Sequence, residues 1–567
     1  MVDTISLRSQ AKAEAEHFLK FDQEYRMGYV EAEKPHPLTR RLSQTCAESI
    51  KSGAALILQA DVQMAQRAAQ VMGTEEYAQF ADTIRKTLKN GGRVIFSGCG
   101  SSGRLSMGLE RAWRNAILTL SQQYPQAKNS LEGKLESVSN IMTGGDYAVI
   151  RAAESFEDST KLGMEQAKQL KLCSKDLLVG VTATGETTSI LGTTRQALAD
   201  GAQVYMLICA DHKPLVEKMQ RAAVVYADPN CRVLSLPCGP MALTGSTRMQ
   251  SSTFEQLAAA AALETALQDI LIDCGIQSQS HEYCWYAEQF LELTQQLLSE
   301  KSLNVLSDAA TLEQKVYESN GKITLFADNY LLDVLTDTTE RSPTFMTPPF
   351  CSSDMVGQPQ SWAFVKNPTC TTEQAWEKCF LRQPRCIDWS SETYRKLGLN
   401  QAQIDKIPDI SIRGLKRYMI GCESMPEREN SAESYALWVD VGEAPETFNT
   451  IASKYKNCGE LTLCRTGITL QKTSMEIYEH LAIKLLLNTL STTVMARMGR
   501  IHGNWMTSMA ISNKKLMDRG ARIVSDLCGV PYEQALEENF YSRLLSDAQE
   551  LNASPVQMTI ERLGISD

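Results

Sequence analysis

The chain has 567 residues, 43% of them hydrophobic and 22% charged, with a formal net charge of −10. Hydrophobic cores stop growing near roughly 250–300 residues, so at least two domains are expected. The composition is that of a globular protein rather than a disordered one, and an acidic surface repels phosphate backbones, which argues against nucleic acid as a partner.

The opening MVDTISLRSQAKAEAEHFLKF has no apolar run behind its charges. A signal peptide is therefore not expected, and the cytoplasm is the expected location. The apolar stretch Leu257 to Leu263 is framed by Glu255 and Glu264, and nothing approaches the ~18–20 residues of a membrane span. The sixteen cysteines contain no C-x-x-C pair and the six histidines form no cluster. Neither a metal nor a cofactor is expected, and the thiols read as buried small side chains in a reducing compartment.

Residues 1–80 read as a helical cap, with apolar positions recurring at three and four from Cys46 to Met72. A different pattern begins at Gly91. Four apolar strands, Gly92–Ser97, Asp176–Val181, Val204–Cys209 and Arg232–Leu236, are separated by helical stretches such as Thr188–Ala199. After helical sequence from about Glu255 to Glu318 come further strands at Gly321–Ala327, Tyr435–Val439 and Glu460–Cys464, then one long helix over Met475–Arg500. Strands alternating with helices imply parallel sheets covered on both faces. The expected organisation is α/β: the cap (1–80), a first doubly wound domain (81–275), a second (276–500) and a helical C-terminal region (501–567).

The strongest motif is Ser97-Gly98-Cys99-Gly100-Ser101-Ser102-Gly103-Arg104, between a strand and a helix. Glycines permit a sharp turn and close backbone approach to a ligand. The helix that follows offers free N–H groups and a positive dipole end, which suit an anion. The Lys-Ser/Thr pair of a nucleotide-binding loop is missing, and the spacing is not that of a dinucleotide fingerprint. Two more hydroxyl-rich loops follow later strands: Thr182-Ala183-Thr184-Gly185-Glu186-Thr187-Thr188-Ser189, and Thr244-Gly245-Ser246-Thr247-Arg248 running on to Thr253. At the carboxyl ends of parallel strands such loops fit a phosphorylated polyol, although the same hydroxyls also serve as helix caps.

These loops, with Ile141-Met142-Thr143-Gly144-Gly145-Asp146, Glu154-Ser155-Phe156-Glu157-Asp158 and the C-terminal Ile511-Ser512-Asn513-Lys514-Lys515-Leu516, resemble the sugar-isomerase (SIS) domain of two related families. One is bacterial N-acetylmuramic acid 6-phosphate etherase, the other glucokinase regulatory protein. The length and the repeat match the second, which carries two such domains in tandem. The resemblance implies that Gly100, Ser101, Ser102 and Gly103 hold a phosphate. It implies that Glu157 meets sugar hydroxyls and that Thr182, Ala183, Thr184 and Thr187 line the second loop. Lys515 and Arg519 would reach in from the C-terminal region, four residues apart on one helix face.

In the second half, Asp337-Thr338-Thr339-Glu340-Arg341-Ser342-Pro343-Thr344-Phe345 resembles the etherase segment that holds a catalytic glutamate, while Phe326-Ala327-Asp328-Asn329-Tyr330 cannot cradle a phosphate. One composite ligand site shared by the halves is therefore expected, with Glu340 crossing into the first half's cleft. Glu186 departs from both families, where an arginine or a serine stands, and a carboxylate beside a phosphate weakens binding unless it is paired. Two functions compete. One is a sugar-phosphate sensor that switches a partner, for which the resemblance suggests a sugar kinase. The other is an etherase-type lyase with Glu157 and Glu340 as its acid–base pair. A sugar-phosphate isomerase is a third possibility that no residue selects.

Overall fold

The structure is a computed structural model that describes residues 4–153, 156–355, 360–511, 513–551 and 553–566. Glu154, Ser155 and Ser512 of the motifs quoted above lie outside the described residues.

The first sheet contains β1 (Val94–Gly98), β2 (Val138–Met142), β3 (Leu177–Val181), β4 (Gln203–Ile208) and β5 (Cys231–Ser235), all parallel, in the order β2-β1-β3-β4-β5. Every residue of β1, β2 and β3 is buried, which explains why these strands show no polar alternation. The second sheet contains β6 (Lys322–Phe326), β7 (Ala363–Lys366), β8 (Ser434–Asp440) and β9 (Asn457–Thr462), also parallel, in the order β7-β6-β8-β9. It repeats the first sheet without the last strand. The two parallel sheets are the α/β architecture expected from the apolar runs, with two strands, β2 and β7, that those runs do not reveal. In both sheets the direction of winding reverses beside the first strand, the place at the carboxyl ends of the strands where a crevice can form.

Two long helices, Gln250–Asp273 and Ile477–Arg497, are buried almost all round and pack against each other. They join the halves through one core. Polar contacts cross the same boundary. Arg382 of the second half meets Glu110 at 2.8 Å and Asp146 at 2.5 Å. Arg248 of the first half meets Asp337 at 2.7 Å, and Asp337 also receives Arg341 at 3.1 Å.

The N-terminal helix Thr4–Phe21 does not pack with the other helices of residues 1–80. It lies against Tyr532–Ala548, and Ala11, Ala15 and Phe18 share a separate small core with Met517, Val524, Leu536 and Phe540. Among the described residues no helix is long and apolar enough to cross a membrane, and no cluster of His, Cys, Asp or Glu could hold a metal ion.

Candidate functional site

β1 runs into the helix Gly100–Gln123 with one residue between them. Glycine makes this junction possible. A Cβ on Gly98 would lie 2.4 Å from the backbone of Ser102, and one on Gly103 would lie 2.8 Å from the oxygen of Gly98. Gly100 sits at φ +54°, a region glycine enters at no steric cost. Cys99 at the N-cap gives the helix no side-chain hydrogen bond. The first N–H groups of a 24-residue helix are therefore not capped by that side chain, and they carry the positive end of its dipole.

These groups face a cleft of about 620 Å³. The first half supplies Gly100, Arg104, Thr143, Glu157 and Asp158; the second supplies Leu397, Gly398, Leu399 and Gln403; Asn513 closes it from the C-terminal region. The second half is held over the Glu157 loop by stacking of Phe156 on Trp389, with ring centroids 5.9 Å apart. Glu157 and Asp158 are exposed to solvent and line the cleft. Among the described residues neither carboxylate has a hydrogen-bonding or ion-pairing partner. Crowding by protein raises the pKa of both; the charge of Lys515 opposes this, and that of Glu186 reinforces it.

The other residues singled out in the sequence fall into distinct groups. Ser102 is buried and donates to Glu255 at 3.1 Å, beneath the loop rather than into the cleft. Ser101 lines a second, smaller cavity of about 50 Å³ together with Glu340, Asp337 and Lys484. Arg104 lines both cavities and holds Glu340 in an ion pair. The chain thus brings Glu340 of the second half to the first turn of the glycine-loop helix, but into the smaller cavity, while Glu157 lines the larger cleft; Arg104 borders both.

In the second loop the hydroxyls of Thr182 and Thr187 meet at 2.9 Å, and Ala183 is buried beside them. Thr184 donates to Glu186 at 3.3 Å, and Lys515 donates to Thr184 at 3.3 Å and to Glu186 at 3.1 Å. Glu186 also receives Arg221 at 2.8 Å. Burial works against its charge, but Lys515 and Arg221 hold its carboxyl below the ordinary range. Arg519 is committed to Glu33, whose carboxylate is fully buried between Arg519 and Arg522. The third hydroxyl-rich loop, Thr244–Thr253, faces elsewhere: Arg248 is taken by Asp337, Asn488, Ser491 and Thr492.

Sequence reasoning assigned no role to Arg104, Glu33, Arg221 or Leu397–Leu399. Arg104 was within reach, since it lies four residues after Gly100 and one helical turn into the cleft. The other residues arrive from segments that no local pattern connects to the loop.

Residues 76–198 match the family model described as glucokinase regulatory protein N-terminal SIS domain. Over 202 residues the chain is 31% identical to N-acetylmuramic acid 6-phosphate etherase of Aeromonas hydrophila subsp. hydrophila, covering 36% of this chain and 59% of that one. Over 182 residues it is 33% identical to the etherase of Vibrio atlanticus, covering 32% of this chain and 51% of that one. The chain spans about half the length of the curated relatives it matches. Among solved structures, the C-terminal domain of glucosamine-fructose-6-phosphate aminotransferase from Francisella tularensis aligns at 10% identity and a TM-score of 0.40, over 79% of this chain and 96% of that one. That likeness is too distant to bear on function. The two families that the motifs resemble are thus the two that the comparisons return.

Proposed function

We propose that the cleft binds a phosphorylated sugar, with the phosphate on the N-terminal amides of the Gly100–Gln123 helix and the sugar hydroxyls toward Glu157 and the second half. One observation carries this reading. A helix N-terminus without a side-chain cap, reaching the cleft at Gly100, and two carboxylates with no partner among the described residues share one cleft, at the reversal of strand order and between the two halves. The match to a regulatory-protein SIS domain and the likeness to etherases named for N-acetylmuramic acid 6-phosphate support it. A ligand that bridges the halves shifts their arrangement by its differential affinity, as a sensor requires. Under this reading the protein works in the cytoplasm; a sugar-kinase partner rests on the resemblance alone.

The test is thermal unfolding with hexose 6-phosphates, fructose 1-phosphate and N-acetylmuramic acid 6-phosphate, each beside its unphosphorylated sugar. At about 100 times its dissociation constant a ligand adds roughly 2.7 kcal/mol. Equal shifts from phosphorylated and plain sugars would overturn the reading.

The lyase reading has its own support. Glu157 is raised in pKa by its crowded position, the direction a general acid needs, and Glu340, in the adjoining smaller cavity, is paired with Arg104, which borders both. Release of D-lactate from N-acetylmuramic acid 6-phosphate, lost in Glu340→Gln by about 10²–10⁴-fold, would establish it. No lactate from the unaltered protein would remove it.

A further inference from the structure

The carboxylate of Glu186 occupies donors just behind the cleft, on the loop whose Ser189 N–H donates to the carbonyl of Glu157 at 2.9 Å and beside Lys515, two residues after the cleft-lining Asn513. Its Oε1 accepts from Thr184 Oγ1 and Lys515 Nζ, and its Oε2 accepts from Arg221. The side chain is 8% exposed. Arg519, the other cation expected near the site, is bound on Nε and on the terminal nitrogen by Glu33, and Arg104 is bound by Glu340. Lys515, Arg519 and Arg104 are therefore already paired, while Glu157 and Asp158 line the cleft with no partner among the described residues. An anionic group can be met by the helix N-terminus. A second one finds Thr184 and Lys515 taken and three carboxylates nearby.

We propose that Glu186 determines specificity: it restricts the cleft to sugars with one anionic group, a monophosphate on an otherwise neutral polyol, and turns away ligands with a second phosphate or a carboxylate. The proposal rests on the sugar-phosphate reading of the cleft and narrows it. A neutral hydroxyl can donate to Glu157 or Asp158 and gains from them. A second anion must displace Glu186 from Lys515 or lie beside it, and like charges at close quarters repel.

Calorimetric titration with fructose 6-phosphate, fructose 1,6-bisphosphate and N-acetylmuramic acid 6-phosphate, whose lactyl group is a carboxylate, tests this. The unaltered protein is expected to bind the monoanionic-group ligand at least about tenfold more tightly than the other two, the weight of one charged hydrogen bond. Glu186→Gln keeps the shape and removes the charge. It should tighten binding of the two doubly anionic ligands by about tenfold while changing fructose 6-phosphate by less, as befits a repulsion removed at one point. Glu186→Ser serves as a second variant, with melting temperature checked for both. A ratio that is the same in the unaltered protein and in the variants overturns the role of Glu186 and leaves the sugar-phosphate reading standing. Absence of binding by all three ligands to every protein overturns both.

Discussion

The two sheets wind in the same order, yet only one crevice is open. After β1 the chain passes through Gly98 and Gly100 straight into a long helix, and the loop backbone is left facing a cleft. After β6 the corresponding stretch is Ala327-Asp328-Asn329-Tyr330, and its groups are already bound. Asp328 accepts from Asn367, Thr369 and Lys378, and the carbonyl of Asn329 accepts from Arg111 of the first half. Strand order alone does not make a site. A crevice becomes one when its donors are left unspent, and the second half uses its own side chains to fill what the first leaves open. It gives the first cleft a wall in Leu397–Leu399 instead.

The most damaging way to break this comparison is to separate the halves. Arg382 is 8% exposed and is shared by Glu110 and Asp146, both buried. Arg382→Ala leaves the buried Asp146 without a cation, while Glu110 keeps Arg385, and should cost about 3 kcal/mol. Urea unfolding checks the loss. A cost below about 1 kcal/mol, the level of a surface pair, would mean that the halves do not depend on this contact.

The next effect separates the loops themselves. Gly98→Ala drives a methyl into the Ser102 and Gly103 backbone, which no side-chain rotation relieves, and should cost about 1–3 kcal/mol together with loss of ligand binding. Ala327→Gly, in the second loop, should cost about 0.5–1 kcal/mol and leave binding intact. Calorimetry on both variants, with stoichiometry, completes the contrast. One ligand per chain is expected, and two would show that the second crevice binds as well.

Much of the fold was legible because the sheet centres are apolar on both faces: β1, β3 and β4 could be read as continuous hydrophobic runs. β2 and β7 could not. Both are edge strands; β2 carries Ser139 and Asn140 in its middle, and β7 has only four residues. Their assignment depends on pairing with β1 and β6, which no local pattern encodes. The site divides in the same way. Gly100 and Glu157 sit in motifs and both line the cleft. The pairing that decides its charge, Glu186 with Lys515 and Glu33 with Arg519, joins residues 329 and 486 positions apart. Lys515 and Arg519 can be placed on one helix face from the sequence, but their acidic partners cannot.

The smallest expected effect concerns what lies beneath each loop. In the first half Ser102 donates to Glu255 on the long helix Gln250–Asp273, and one carboxylate oxygen of Glu255 has no partner. In the second half the first turn after β6 meets its long helix through Asp333 and His480, 3.0 Å apart. Burial without a paired cation raises the pKa of Glu255 well above the ordinary carboxyl value, so the fold favours its neutral form more than the unfolded chain does. The sign follows from linkage. The folded state keeps a proton that the unfolded chain releases above about pH 4, so the stability tied to Glu255 is full below that pH and falls as pH rises toward the raised value. Glu255→Gln keeps the acceptor for Ser102 and removes the titration. At pH 5 the variant should differ from the unaltered protein by less than about 1 kcal/mol, the net worth of one hydrogen bond, and the difference should move in the variant's favour as pH rises to 9. Urea unfolding at a series of pH values measures it. A difference independent of pH would show that Glu255 does not bind its proton more tightly in the fold than in the unfolded chain.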